Sequence, residues 1–187
     1  MTEVAQGTSL ARFGHGELMV MVGENAEHQE WNEQLAKELW QIITKSPCLI
    51  AVPPNDPPGW DGFLGKYDAC IKSDRWYGSS FVSRHDWVPW TEEYLALLCR
   101  LWKRRCITVV APRRFELKNT LGIFWITCPE KNAFDFIDDL EQGAINSHSS
   151  PDGLTILSCG PTGTVLADRL ARKGIWAVDL GNFGKFL

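Results

Sequence analysis

The chain has 187 residues, enough for one domain with a full core and no need of metal or disulfide staples. Hydrophobic residues make up 44% and charged residues 22%, an ordinary globular composition. A net charge of −4 and a pI near 5.6 argue against a dedicated nucleic-acid binder, whose balance is usually basic. No apolar run approaches the ~20 residues needed to span a bilayer. The cysteines are Cys48, Cys70, Cys99, Cys106, Cys128 and Cys159, and no two stand at the C-x-x-C spacing of a zinc knuckle. Four of them, Cys48, Cys106, Cys128 and Cys159, fall at or inside apolar strand-like runs, where cysteine behaves as a small buried hydrophobe. With no leader-like segment at the start, this cysteine usage predicts a reducing, cytoplasmic setting. The nine tryptophans are many for this length, and most are expected in the core.

Residues 1–8 read as a short polar lead-in. From Glu33 to Lys45 the spacing of Leu35, Leu39, Ile42 and Ile43 predicts a helix with one buried face. Ser46-Pro47 stops it, and residues 48–52 read as a buried strand. Residues 53–62, PPNDPPGWDG, carry too much proline and glycine for regular structure. Thr91 is a plausible N-cap, with Glu92 and Glu93 favourable in the first turn, and the helix behind it places Tyr94, Leu95, Leu98, Leu101 and Trp102 on one face. Residues 106–110 and 121–127 are the next apolar strands. Pro129 is read as opening a helix that runs through Leu140 and ends at Gly143. Residues 154–181 give the clearest unit: a strand over 154–159, a Gly160-Pro161 turn with proline suited to the first helical position, a helix lined by Val165, Leu166 and Leu170, Gly174 as its C-terminal stop, and a strand over 175–178. The alternation predicts a Rossmann-like α/β fold spanning residues 1–187 as a single domain, its sheet largely parallel with helices on both faces. In such sheets ligands sit beyond the carboxyl ends of the strands.

Four segments could carry chemistry. In Gly160-Pro161-Thr162-Gly163-Thr164 a strand runs through small residues into a helix N-terminus, where free N–H groups and the helix dipole favour a phosphate; the alternative is a tight turn with no ligand. In Arg12-Phe13-Gly14-His15-Gly16-Glu17, an extended backbone points His15 and Glu17 the same way, towards a shared Mn²⁺-like cation; the plainer reading is a turn with an exposed His and a Glu paired to Arg12. Ser83 and Arg84 close the run that starts at Tyr77, an arrangement suited to phosphate or carboxylate capture, although a surface salt bridge is the commoner fate of a lone Arg. Cys128-Pro129-Glu130-Lys131-Asn132-Ala133 is a strand-to-helix junction whose Asn132 contacts a ligand or merely caps the helix.

Taken in order along the chain, these segments resemble the GT-D-type glycosyltransferases, a family first catalogued as a domain of unknown function. The matching parts are residues 9–18 (SLARFGHGEL), Gln29-Glu30, residues 81–84 (FVSR), residues 128–134 (CPEKNAF), residues 160–167 (GPTGTVLA) and Asp179-Leu180-Gly181. The resemblance implies an enzyme that moves a sugar from a nucleotide-diphosphate donor, with UDP favoured, to a hydroxyl on a glycan or glycoprotein. It implies donor binding by Arg12, Gly14, Gly16, Ser83, Arg84, Asn132, Gly160, Pro161, Thr162 and Thr164. It also implies a divalent cation, Mn²⁺ or Mg²⁺, on Glu17 and His15. Glu17, His15 and Asp179 are the implied catalytic residues, with Asp86 a further candidate base. The family motif has Asp where this chain has His15, and residues 111–120, APRRFELKNT, replace an acidic glycine-containing loop. Two alternatives remain at this point. One is transfer to hydroxymethylated bases of phage-type DNA, with Arg104/Arg105 and Arg113/Arg114 as the DNA-facing patch. The other is a nucleotide- or sugar-binding module without turnover.

Overall fold

A computed structural model describes residues 2–53, 78–83, 91–148, 150 and 152–183. Part of the proline-rich stretch, Cys70, Arg84 and Asp86 lie outside them, as does the side chain of Ser83. In chain order the elements are α1 (Thr2–Ala5), β1 (Leu10–Arg12), α2 (His15–Met21), α3 (Glu33–Lys45), β2 (Leu49–Val52) and β3 (Gly78–Ser79), which runs into a 3₁₀ turn at Ser80–Ser83. There follow α4 (Glu92–Trp102), β4 (Cys106–Ala111), β5 (Gly122–Thr127), a 3₁₀ turn at Ala133–Phe136, α5 (Ile137–Ser147), β6 (Leu154–Leu157), α6 (Pro161–Arg172) and β7 (Ala177–Asp179).

The strands form one sheet in the order β3-β2-β1-β7-β6-β4-β5, and every neighbouring pair is parallel. A central parallel strand is covered on both faces, so it is apolar on both; β6 is buried along its whole length, as is β4 after Cys106. Two cores result. One packs α2, α3, α5 and α6 against the sheet through Leu18, Leu39, Ile43, Leu140 and Leu166. The other, on the opposite face, gathers Val4, Leu98, Leu101, Trp102, Trp176 and Phe183. The parallel sheet with helices on both faces is therefore as the alternation predicted. Arg169 of α6 ties the first layer together: it makes two hydrogen bonds to Glu38 of α3, at 2.7 and 3.0 Å, and reaches Asp138 and Glu141 of α5.

Several expectations need correction. The segment read as a polar lead-in holds α1, anchored by the buried Val4 against the second core. No helix opens at Pro129; the chain makes a left-handed bend at Asn132 (φ 53°), then the 3₁₀ turn, then α5. Gly143 does not end that helix but lies inside it, because Ile126 of β5 packs there: a Cβ on Gly143 would sit 3.3 Å from Ile126 Cδ1. Cys106 is exposed rather than buried, since it opens β4 at the rim of the sheet. Leu95, placed on the buried face of α4, is exposed.

Candidate functional site

β1, β7 and β6 are neighbours in the middle of the sheet. Parallel pairing puts their carboxyl ends side by side, so Arg12, Asp179 and the segment leading to Gly160 meet at one edge. Thr164, on the first turn of α6, fastens them: its hydroxyl faces the Arg12 carbonyl at 2.8 Å and Asp179 Oδ2 at 3.0 Å. Asp179 Oδ1 accepts from the Gly181 amide at 2.8 Å. Ser158 donates to the Gly181 carbonyl. Gly163 permits α6 to approach this closely, as a Cβ there would lie 3.3 Å from Asp179 Oδ1 and 3.4 Å from Cys159 Sγ.

Gly160 has φ 61° and ψ −148°, a conformation open to glycine alone. Among the described residues a Cβ built on it would meet nothing within 4 Å. Pro161, which has no N–H, opens the 12-residue helix α6, and the Gly163 amide donates to the Gly160 carbonyl at 2.8 Å, so the turn carries the positive end of the helix dipole. Across from it Gly16 rests on Pro161, with 3.6 Å between its would-be Cβ and Pro161 Cγ, which brings the first turn of α2 to the Gly160 turn.

Arg12 is only 8% exposed. Its Nε donates to the Ser80 carbonyl at 2.7 Å, and among the described residues its two Nη groups donate no hydrogen bond. The Nη atoms are not among the sealed unpaired atoms of the described residues, so they reach the surface and can donate to the acceptors of a ligand. Thr162 has a fully buried hydroxyl that also lacks a partner among the described residues. Glu17 is 4% exposed, and its Oε2 accepts from the Gly14 amide at 2.7 Å, closing the first turn of α2. Burial pushes the Asp179 carboxyl up to about 7; the nearby Glu17 carboxylate pushes the same way, against the pull of Arg12, the Gly181 amide and Thr164. Next to this group the Cys159 thiol, hydrogen-bonded to Cys128 and buried, is held well above its ordinary range.

The structure thus brings together Arg12, Gly14, Gly16, Glu17, Gly160, Pro161, Thr162, Thr164 and Asp179, but several do not take the expected part. His15 and Glu17 lie in a helix, not an extended segment, so two residues apart they point to different sides. His15 is exposed and Glu17 is buried. In this arrangement they do not converge on one cation, and among the described residues there is no group of three or more His, Cys, Asp or Glu able to hold a metal. Asp179 is 1% exposed with both oxygens engaged, so it stands behind the site and braces it. Thr164 is likewise a brace. Asn132 turns its Oδ1 to the Glu30 amide at 2.8 Å, and its own amide donates to the His28 carbonyl. It therefore fixes the 25–31 turn, which touches Gly16 through Ala26. Ser80 and Gly181 carry Arg12, a role the sequence did not assign to either; Ser80 lies in the run that ends at Arg84, and Gly181 stands in the Asp179-Leu180-Gly181 stretch, where a glycine alone gives no sign of what it faces.

The two arginine clusters do not form one patch. Arg104 and Arg105 precede β4 and Arg113 and Arg114 follow it, and a six-residue strand separates its ends by about 20 Å. Arg113 is ion-paired to Glu130 at the carboxyl edge, whereas Arg105 lies over Trp176 at the amino edge. A cleft of about 560 Å³ at that amino edge, lined by Gly7, Ser9, Pro47, Arg105 and Trp176, is on the far side of the sheet from the Gly160 turn.

The family model for the glycosyltransferase GT-D fold matches residues 62–185. The chain belongs to this family. Among curated relatives it is 27% identical to glycosyltransferase GlyD of Streptococcus pneumoniae over 96% of this chain and 25% of that protein. It is 28% identical to the probable glycosyl transferase Gly of Streptococcus gordonii over 95% of this chain and 30% of that protein. The chain therefore spans between a quarter and a third of the curated relatives it matches. A solved structure of domain of unknown function 1792, described as having a distinct glycosyltransferase fold, superposes with a TM-score of 0.79 at 26% identity, covering 98% of this chain and 77% of that one. In this GT-D chain no helix of the described residues is long and apolar enough to cross a membrane.

Proposed function

We propose that this GT-D chain transfers a sugar from a nucleoside diphosphate sugar, with UDP the favoured nucleotide, to a hydroxyl of a glycan or glycoprotein. The observation that carries the reading is the buried Arg12, its Nη groups without hydrogen bonds among the described residues, at the same edge of the sheet as the Gly160 turn. A diphosphate in front of that turn meets the positive end of the α6 dipole and the planar fork of Arg12, a pairing suited to phosphate oxygens.

In the reaction the acceptor oxygen bonds to the anomeric carbon as the bond from that carbon to the diphosphate breaks, and the hydroxyl proton passes to water or to the leaving phosphate. Negative charge then grows on the leaving diphosphate. Fixed donors already in place stabilise that charge without reorganising. This is the role of Arg12 and the N-terminus of α6. Asp179, buried and engaged, braces Arg12 through Thr164 and Gly181, and Glu17 closes the first turn of α2. No step here runs through a metal on His15 and Glu17, since their side chains do not converge. The names of the relatives support sugar transfer.

The test is release of UDP from UDP-glucose and related donors, with the GDP and dTDP donors beside them. Turnover of at least one donor that falls about a hundredfold or more in Arg12→Ala is expected, as for loss of an oxyanion donor. Turnover unchanged by that substitution would remove Arg12 from the reaction.

A further inference from the structure

Arg12 is gripped from two sides by residues that have no side chain. On one side is Gly14, where a Cβ would lie 3.1 Å from Arg12 Nη1 and 3.5 Å from Nη2. On the other is Gly181, where a Cβ would lie 2.5 Å from Nη1, 2.9 Å from Cζ and 3.3 Å from Nε. The guanidinium plane thus rests directly on the Gly181 backbone. That backbone is itself pinned: its amide to Asp179 Oδ1, its carbonyl by Ser158. The Nε end is held by the Ser80 carbonyl, and the Arg12 backbone by Thr164. Every part of Arg12 except the Nη groups is fixed.

We propose that Gly181 is a positioning residue for donor binding: its bare backbone forms the seat that aims the Arg12 fork at the diphosphate. The proposal rests on the reading of Arg12 as the diphosphate anchor. A side chain at 181 displaces the guanidinium from the seat, because the backbone on which it is built cannot move without breaking the Asp179 and Ser158 bonds. Gly181 also has φ 55°, which costs any L residue some strain. Strain of that kind is indifferent to the residue at position 12, and this separates the two roles.

The experiment is a double-mutant cycle over Gly181→Ala and Arg12→Lys, read by UDP affinity and by thermal melting. Lysine keeps the charge, but its single ammonium does not fill the space of the planar fork. Gly181→Ala is expected to weaken UDP binding about tenfold or more in the wild-type background, the scale of a lost charge-assisted hydrogen bond. In the Arg12→Lys background it is expected to cost less than about twofold, and the same non-additivity should appear in the melting temperatures. Equal losses in both backgrounds, or UDP binding by Gly181→Ala at wild-type strength, overturn the proposal. If Gly181→Ala does not fold, the double variant must fold, as the clash is with the guanidinium; a double variant that also fails overturns it too. Should the wild-type chain bind neither UDP, GDP nor dTDP, the donor-site reading fails, and the melting cycle still decides whether Gly181 seats Arg12.

Discussion

The Thr164 hydroxyl lies 3.0 Å from Asp179 Oδ2 and 2.8 Å from the Arg12 carbonyl, yet it has one hydrogen to give. A neutral Asp179 resolves the conflict. When Asp179 is protonated its Oδ2–H donates to Thr164, Thr164 donates to Arg12, and Oδ1 still accepts from Gly181; when it is ionised the Thr164 hydrogen is divided between the two acceptors. With its carboxyl pushed up to about 7, Asp179 takes the neutral form below neutral pH.

A pH dependence follows. The folded-state value of Asp179 is raised above its ordinary 3.8, so the folded state holds the proton more tightly than the unfolded chain. The stability this contributes is fully present below about pH 4 and is lost as pH rises through about 7. A tenfold difference in proton affinity is worth about 1.4 kcal/mol, so the loss amounts to a few kcal/mol. Asp179→Asn copies the neutral form and should flatten this trend in denaturant unfolding between pH 5 and pH 8. Asp179→Ala should be less stable at both. An Asn variant with the wild-type slope would show that Asp179 is already ionised.

Gly163 inverts an ordinary expectation. Glycine to alanine inside a helix usually stabilises by up to about 1 kcal/mol. Here the new methyl meets Asp179 and Cys159 at 3.3 and 3.4 Å. Gly163→Ala should instead destabilise by about 1–3 kcal/mol, the cost of overpacking. Equilibrium unfolding of the variant checks the sign.

Asn132 holds the 25–31 turn to the end of β5 from a left-handed backbone. Asn132→Ala removes the bond to the Glu30 amide and forces alanine into that conformation. A loss of about 1–3 kcal/mol is expected, with faster hydrogen exchange at Glu30 and at Asn132 itself. Exchange at wild-type rates would mean the turn holds without this brace.

Arg169 is three-quarters buried and bonded to carboxylates on two other helices. Arg169→Ala leaves Glu38 and Glu141, both largely buried, without it. A cost of about 1–3 kcal/mol is expected, less than for a fully buried pair because part of the cluster meets solvent. Measured stability within about 0.5 kcal/mol of wild type would make the cluster an ordinary surface network.

The layers were legible because apolar periodicity records burial. Leu35, Leu39, Ile42 and Ile43 form the buried face of α3, and Thr91 caps α4 as its residue type suggests. The unit around Gly160 was legible because each part carries its own signal: an apolar strand, a proline at the helix start, and a stop at Gly174 (φ 75°). The first turn of α2 was not, because two glycines and a histidine hide a helix that Glu17 closes by bonding to the Gly14 amide. That hidden helix is why strand-like alternation wrongly placed His15 and Glu17 on one face. Gly143 misled for a related reason: the contact that keeps it in α5 comes from Ile126, 17 residues earlier in the chain. The roles of Ser80 and Gly181 rest on contacts with Arg12 across 68 and 169 positions, which no local pattern records.

The central claim is that Arg12 and the Gly160 turn hold the diphosphate of the donor. Calorimetric titration of UDP into the wild-type chain and Arg12→Ala, with circular dichroism to establish that the variant folds, tests it most directly. Saturable binding by the wild type and at least about a tenfold loss in the folded variant are predicted, the scale of a charge-assisted contact to phosphate. UDP binding of equal strength in both proteins would contradict it.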